Sequence, residues 1–330
     1  MSAVQLPNEG SPVPVVRRSL LRSSFGALAL LAAVIVLLPL VASSNYVLRI
    51  VALVWIMGLG AVGLHVLMGL AGQISLGHAG FFGIGAYATA VLPLKFGVPT
   101  PLAVLAGVLA SALIAWGVGK PILRLKGHYL AIATLGFSLL IGLVITSEVT
   151  LTGGPDGVDV PRLAIGDSSL TSPAAWYWIS GALLLAGMAL AIALRDSPTG
   201  RALRAILDSE VAAASMGVDV ARRKLQAFVI AAIYAAVAGC ALALMNGFIT
   251  PDVANFMTSV EFVAMVVIGG VASPFGALVG AALLTLLPQL LATFHDYQDM
   301  AVGLIIMLSM IFLRQGIVPA LEALATRRKR

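Results

Sequence analysis

Apolar stretches recur along this chain at about 25–42, 50–70, 76–96, 101–119, 128–147, 174–194, 225–246, 259–272, 275–291 and 300–313. Most are close to the roughly 20 residues that carry an α-helix across the hydrocarbon core of a bilayer. A water-soluble fold cannot hide so many. With 60% hydrophobic and only 10% charged residues, too little polar material remains to cover a 330-residue surface facing water. In lipid each segment must satisfy its own backbone polar groups, which leaves helices as the spanning element. The expected fold class is all-α: a polytopic transmembrane helical bundle of about 10 membrane segments in one membrane domain.

Two of these segments are not clean. The 76–96 run is rich in glycine and follows "GQISLGHAG", and the 259–291 run is interrupted by "GGVASPFG". Pro274 lacks a backbone donor and the neighbouring glycines loosen a helix, so either place is expected to be broken or re-entrant. The first segment follows Arg17, Arg18 and Arg22 and ends in "VAS", a faint likeness to a signal-peptidase site. Its length favours an uncleaved span.

Lys and Arg are retained in short cytoplasmic loops, which orients the chain. An even count of segments puts both termini in the cytoplasm. All of the 20 Lys and Arg then lie on the inner side except Arg49, Lys95 and Arg162. The net charge of +6 therefore reflects membrane orientation and not nucleic-acid binding. Residues 1–24 are expected to be a cytoplasmic tail, 25–315 the transmembrane domain, and 316–330 a basic cytoplasmic tail whose "RRKR" lies near anionic lipid. The single cysteine, Cys240, sits in an apolar run and is expected to be a packing residue.

The outer loop 148–173 carries Glu148, Asp156, Asp159 and Asp167 against Arg162, around turn-forming Gly-Pro-Asp-Gly. It is either a solvated connector or a surface for an extracytoplasmic partner. The inner loop 195–224 is more specific. Ser197 before Pro198 fits a helix N-cap, the stretch 201–216 has strong helix propensity, and Gly217 offers a stop. Leu203, Ile206, Leu207 and Val211 share one face at helical spacing, while Arg204 and Asp208 can pair one turn apart. Such an amphipathic helix rests on lipid headgroups or docks in a partner's groove, and Glu210, Ala213, Ala214 and Gly217 point to docking.

Five stretches in order, "GLAGQISLGHAGFFGIGAYATA", "LRLKGHYLAIATLGF", "LTGGPDGV", "SPTGRALRAILDSEVAAASMGVDVARRKLQAFVIAA" and "VVIGGVASPFGALVGA", resemble the branched-chain amino acid permease family of ATP-binding-cassette importers, in particular its leucine, isoleucine and valine M-type subunit. The resemblance runs from about residue 50 to 315. Two departures are visible: "LRQGIV" stands where the family often closes with proline-glycine-leucine, and the leucine-proline pair of the general importer loop is missing.

The resemblance implies a non-catalytic permease subunit in the bacterial inner membrane, without cofactor. Its partners would be a homologous permease, two cytoplasmic ATP-binding subunits and an extracytoplasmic substrate-binding protein. No G-x-x-x-x-G-K-[ST] phosphate loop occurs in the sequence, so hydrolysis is expected from another polypeptide. The inner loop 195–224 becomes the coupling segment, with Gly200, Arg201, Arg204, Asp208, Glu210, Ala213, Ala214 and Gly217 meeting the ATPase. The implied substrates are branched-chain amino acids, with urea or short amides as the alternative.

The residues that open the glycine-rich run have two readings. Ser75, Ala79 and Gly83 form a stripe that lets helix backbones touch. Gln73, Ser75 and His78 are costly at membrane depth unless they face partners or a water-filled path, and a break between Gly72 and Gly77 would expose amides and carbonyls to a zwitterionic substrate. Gly269, Gly270 and Pro274 would be the counterpart. Thr134 is expected to bond its own helix backbone or to face the path. His65 is expected to be a hydrogen-bonded packing residue, and His295 beside Asp296 and Asp299 makes a poor metal site. An intramembrane serine protease using Ser75 and His78 lacks G-x-S-x-G, since Gln73 replaces the first glycine. An ion-coupled secondary carrier would need a central intramembrane carboxylate, which the long spans lack.

Overall fold

A computed structural model describes residues 19–41, 44–125, 127–165, 168–169 and 172–290, with 303, 307 and 316–319. It is built almost wholly of helices: α1 (Ser19–Val41), α2 (Asn45–His65), α3 (His78–Phe96), α4 (Thr100–Ile122), α5 (His128–Ser147), α6 (Val149–Thr152), α7 (Pro173–Asp196), α8 (Pro198–Asp208), α9 (Glu210–Ser215), α10 (Val220–Asn246), α11 (Phe256–Gly269) and α12 (Pro274–Leu290). The first nine of the expected apolar segments each coincide with a helix. The tenth, 300–313, lies outside the described residues apart from two isolated positions, as do residues 1–18, 320–330, Lys126, Asp167 and the group His295, Asp296 and Asp299.

The number of full spans is smaller than expected. Among the described residues six helices are long and apolar enough to cross a membrane: Asn45–Leu70, His78–Phe96, Thr100–Ile122, His128–Ser147, Pro173–Asp196 and Val220–Asn246. The helices α11 and α12 are shorter, with 14 and 17 residues, which gives them about 21 and 26 Å at 1.5 Å per residue. The expected interruption between them is the cause. Helix α11 ends at Gly269, Gly270 takes φ 116°, and Pro274 opens α12, where its missing N–H costs nothing.

Helices α2 and α10 form the centre. The most apolar window of α2 is 78% buried and that of α10 is 67%, against 28% for α4 and for α5, which hold the periphery. Helix α10 packs on α2, α3 and α4, and α2 packs on α7, α10 and α12. Small residues allow backbone-to-backbone contact at these crossings. A Cβ on Gly239 of α10 would lie 2.0 Å from the Phe82 carbonyl oxygen, and one on Gly85 of α3 would lie 2.2 Å from that of Ala236. Buried Cys240 packs in the same crossing and donates its thiol to the Gly85 carbonyl at 3.2 Å.

The short helices α11 and α12 lie against each other even more closely. A Cβ on Gly269 would be 1.8 Å from the Gly276 carbonyl oxygen, and one on Gly280 would be 1.8 Å from that of Met265. On the side where α10 ends, the loop after α6 is pinned and does not trail in solvent. Val158–Asp159 pairs antiparallel with Phe248–Ile249, and the Val160 amide donates to the Gly247 carbonyl at 2.9 Å.

The α11–α12 crossing makes a stability prediction. Gly280→Val should lower the unfolding midpoint of the detergent-solubilised chain by several degrees, through about 1–3 kcal/mol of overpacking against backbone that has nowhere to go. Gly117→Val, whose Cβ meets no atom within 4 Å, should leave it unchanged. Equal midpoints for the two variants would refute the close crossing.

Candidate functional site

The 195–224 loop folds tightly at its start. Ser197 caps α8 by accepting from the Gly200 amide at 3.1 Å, and its hydroxyl donates to the Leu194 carbonyl at 2.6 Å. Gly200 is required by space: a Cβ there would lie 2.2 Å from the Leu194 oxygen and 2.4 Å from that of Arg195. Arg201 and Arg204 reach back to the carbonyls of Asp196 and Arg195, each at 3.1 Å, satisfying the cationic preference of a helix C-terminus. Arg204 therefore serves α7, and the expected pairing with Asp208 is not made.

The expected continuous helix over 201–216 is two helices. Ser209 is extended, with φ −162° and ψ 116°, and its hydroxyl accepts from the Ala212 amide to start α9. A serine offers the backbone this local alternative to continuing a helix. Gly217, with φ 83°, follows the end of α9 as expected. The break also overturns the single apolar face. Leu203 and Ile206 are buried, but Leu207 is half-exposed and Val211 is 80% exposed. Helix α9 is clamped instead by charge, with buried Lys224 of α10 paired to Glu210. Ala213 is buried beneath it, while Ala214 and Met216 face outward.

Next to this segment lies the break in the glycine-rich run. Helix α2 closes with a π-helical turn, Val66–Leu70, and Gly72 takes φ 65° to end it. Residues 73–77 then run outside any helix, and burial alternates: Gln73 and Ser75 are buried while Ile74 is 52% exposed. Polar side chains thus point inward and the apolar one outward, the reverse of an extended chain at a water-facing surface. Because Ser75 precedes α3, it does not share a helical stripe with Ala79 and Gly83. Gly83 still provides close contact, since a Cβ there would lie 2.6 Å from that of Ala254.

Side chains from other helices complete the break. Thr134 of α5 accepts from the Leu76 amide at 3.0 Å and donates to its own helix at Ala131 at 2.9 Å. Ser75 accepts from the Gly77 amide at 3.3 Å, and Ser259 of α11 accepts from the Ala79 amide at 3.1 Å. Nε2 of His78 lies 2.9 Å from the Gly60 carbonyl oxygen, and the ring stands edge-on to Phe262 at 5.2 Å. Ser75 and His78 are thus each occupied separately, and no hydrogen bond joins them as nucleophile and base. Gln73 differs: both polar atoms of its side chain are buried without a partner. His65 packs as expected but not through a bond at Nδ1, which is also unpaired.

Three elements converge at the end of α2. A Cβ on Gly72 would lie 2.7 Å from Cδ1 of Leu207 in α8, and one on Gly69 would lie 2.4 Å from the Val271 carbonyl oxygen in the turn between α11 and α12. Buried Gly316 packs on the same turn, where a Cβ would be 2.3 Å from Gly270 Cα. Gly269, Gly270 and Pro274 therefore form a turn seated beside the break that follows α2. Ser259 and this convergence were missed by sequence reasoning, since their partners are about 45 to 200 residues away and no periodicity reports them.

Comparison with known proteins identifies the fold's kin. Residues 46–313 match the family described as branched-chain amino acid transport system, permease component. The chain belongs to this family. It is 34% identical over 282 residues to the high-affinity branched-chain amino acid transport system permease protein LivM of Salmonella typhimurium, covering 78% of this chain and 66% of the relative. Its identity to LivM of Escherichia coli K12 is also 34%, over 284 residues and the same shares. To LivH of Salmonella typhimurium it is 28%, with 78% of this chain and 89% of the relative covered. The chain thus spans just under two thirds of the length of the LivM relatives it matches. No solved structure matches it. With six long apolar helices, this member of the permease family is a multi-pass membrane protein, and its relatives are named as transport proteins and not as enzymes.

The geometry at the break predicts that Thr134→Val, which leaves the half-buried Leu76 amide without an acceptor, costs about 1–3 kcal/mol. Thr134→Ser should recover most of it. Thermal unfolding of the purified variants checks this, and a silent Thr134→Val would mean that the break does not depend on the hydroxyl.

Proposed function

We propose that this chain is a non-catalytic permease subunit of an ATP-binding-cassette importer in the bacterial inner membrane, and that it moves branched-chain amino acids by alternating access. Both termini lie in the cytoplasm in this reading, with residues 1–24 and 316–330 as tails on the 25–315 membrane domain. A homologous permease, two cytoplasmic ATP-binding subunits and an extracytoplasmic binding protein complete the assembly. The observation that carries the reading is the inner segment α8–α9, which presents exposed Val211 and Met216 outward while being bound firmly to the bundle behind.

Its attachment suits a lever. The Glu210–Lys224 pair ties α9 to α10, Arg201 and Arg204 tie α8 to the end of α7, and Leu207 sits against Gly72 at the helix break. A push on α9 from an ATPase therefore reaches two long spans and the break together. Motion of this kind shifts a population between two packed arrangements, which is how closure on one side opens the other. Gly200, Asp208, Ala213, Ala214 and Gly217 shape the segment, and the exposed Ala214 edge together with Val211 and Met216 is the docking surface.

The break supplies the inner part of the path. Ser75, His78, Gly83, Thr134, Gly269, Gly270 and Pro274 hold backbone in place, whereas Gln73 alone has a free amide to offer a passing polar group or a second packing arrangement. Gln73→Leu should accordingly reduce uptake about tenfold while the assembled complex forms normally, the loss expected for one charge-assisted hydrogen bond. Equal loss of uptake and assembly would assign Gln73 to packing.

The lever is tested by charge exchange in proteoliposomes containing the whole assembly. Glu210→Lys places like charges together and should cut leucine uptake at least tenfold with ATP hydrolysis retained, and Glu210→Lys with Lys224→Glu should restore much of it. Normal coupling in the single variant would argue that α9 merely rests on lipid. Leucine uptake that persists with no ATPase subunit present would overturn the importer reading altogether.

A further inference from the structure

A cavity of about 810 Å³ opens between α2, α10, α11 and α12, reached from Asn246 and Asp252 and floored by Phe82, Leu242 and Met265. It lies toward the end of the bundle opposite the lever. Helix α10 starts beside the Glu210–Lys224 pair and runs for 27 residues to Asn246, about 40 Å along a straight helix. The floor is closed by packed rings. Phe82 stands edge-on to Phe262 at 5.5 Å, and fully buried Phe262 stands edge-on to His78 at the inner break.

The chemistry of the wall is asymmetric. Asp252 and Glu261 line the cavity, and no Lys, Arg or His does among the described residues. The only ion pair among the described residues is the distant Lys224–Glu210, so none of the described residues neutralises either carboxylate. One Asp252 carboxylate oxygen accepts from Thr250, and Glu261 makes no hydrogen bond among the described residues. A separate observation points inward from the other wall. Thr285 of α12 is 9% exposed, lines the cavity, and its hydroxyl has no partner. A buried hydroxyl without a partner is costly unless something else fills its hydrogen bond.

We propose that this cavity is a binding site within the permease for a zwitterionic α-amino acid with an aliphatic side chain. Glu261, supported by Asp252, receives the ammonium group, whose three donors need acceptors. The Thr285 hydroxyl donates to the substrate carboxylate, and Phe82, Leu242 and Met265 receive the side chain, with methionine adapting to different branching. The volume lies in the range of small-molecule sites, leaving room for water at the mouth. This rests on the importer reading and adds to it: selection would occur in the membrane subunit as well as in the separate binding protein.

The test uses the purified permease–ATPase complex without its binding protein, with labelled leucine as the probe. The wild-type complex should bind leucine saturably, and Glu261→Gln should weaken binding about tenfold or more. Thr285→Val should weaken it less, and Glu261→Asp should restore part of the affinity, which separates lost chemistry from misfolding. The deaminated keto acid with the same side chain should bind weakly and be indifferent to Glu261→Gln. Absence of saturable leucine binding to the wild-type complex, or unchanged affinity in both Glu261→Gln and Thr285→Val, overturns the proposal. So does a change confined to the concentration of binding protein needed for half-maximal uptake, which would assign the carboxylates to docking. These outcomes leave the importer reading standing, since that reading fails only if the complete wild-type assembly takes up no leucine with ATP or takes it up with no ATPase subunit present.

Discussion

Backbone amides and carbonyls cannot be left bare in lipid, and the rest of this structure depends on how that demand is met where helices stop. At the break between α2 and α3, hydroxyls from α5 and α11 meet it: Thr134 takes the Leu76 amide and Ser259 takes the Ala79 amide. At the second break, proline removes the demand by standing first in α12. Once both breaks are satisfied, each can be placed inside the bundle. The end of α2 then becomes the point where Leu207, Gly72, Gly69 and Val271 meet.

That meeting point links mechanics to chemistry. A straight span transmits tilt along its whole length, whereas a broken one can be bent at one place by contact with a neighbour. Leu207 of α8 touches the break, and the α11–α12 turn touches the end of α2 beside it. The ring stack of His78, Phe262 and Phe82 connects the start of α3 to the floor of the opposite cavity. The two faces of the bundle are therefore in contact through packed atoms and not through a long flexible route.

Much of this was legible in the residues. Apolar length announced the spans, the glycine and proline clusters marked the two breaks, and Ser197-Pro198 with Gly217 marked the ends of the inner segment. The misreadings have local physical causes. Ser209 caps a new helix because a side-chain hydroxyl competes with helix continuation, which turned Val211 outward. The residues Ser75, Ala79 and Gly83 share helical spacing only if the chain is helical from Ser75, and α3 begins at His78. The cavity carboxylate Glu261 was passed over because it sits in the first half of a short helix and not in the middle of a long span.

The sequence alone determined that the chain lives in lipid, where its helices break, and which segment is the most charged, because solvent preference and backbone freedom are properties of each residue and its near neighbours. Only the tertiary structure decided that Thr134 and Ser259 supply the missing acceptors, that Lys224 is buried against Glu210, and that Glu261 and Thr285 border one cavity. Those pairings bring together residues far apart in the chain, and their energies exist only once close packing at glycine has brought the helices within reach.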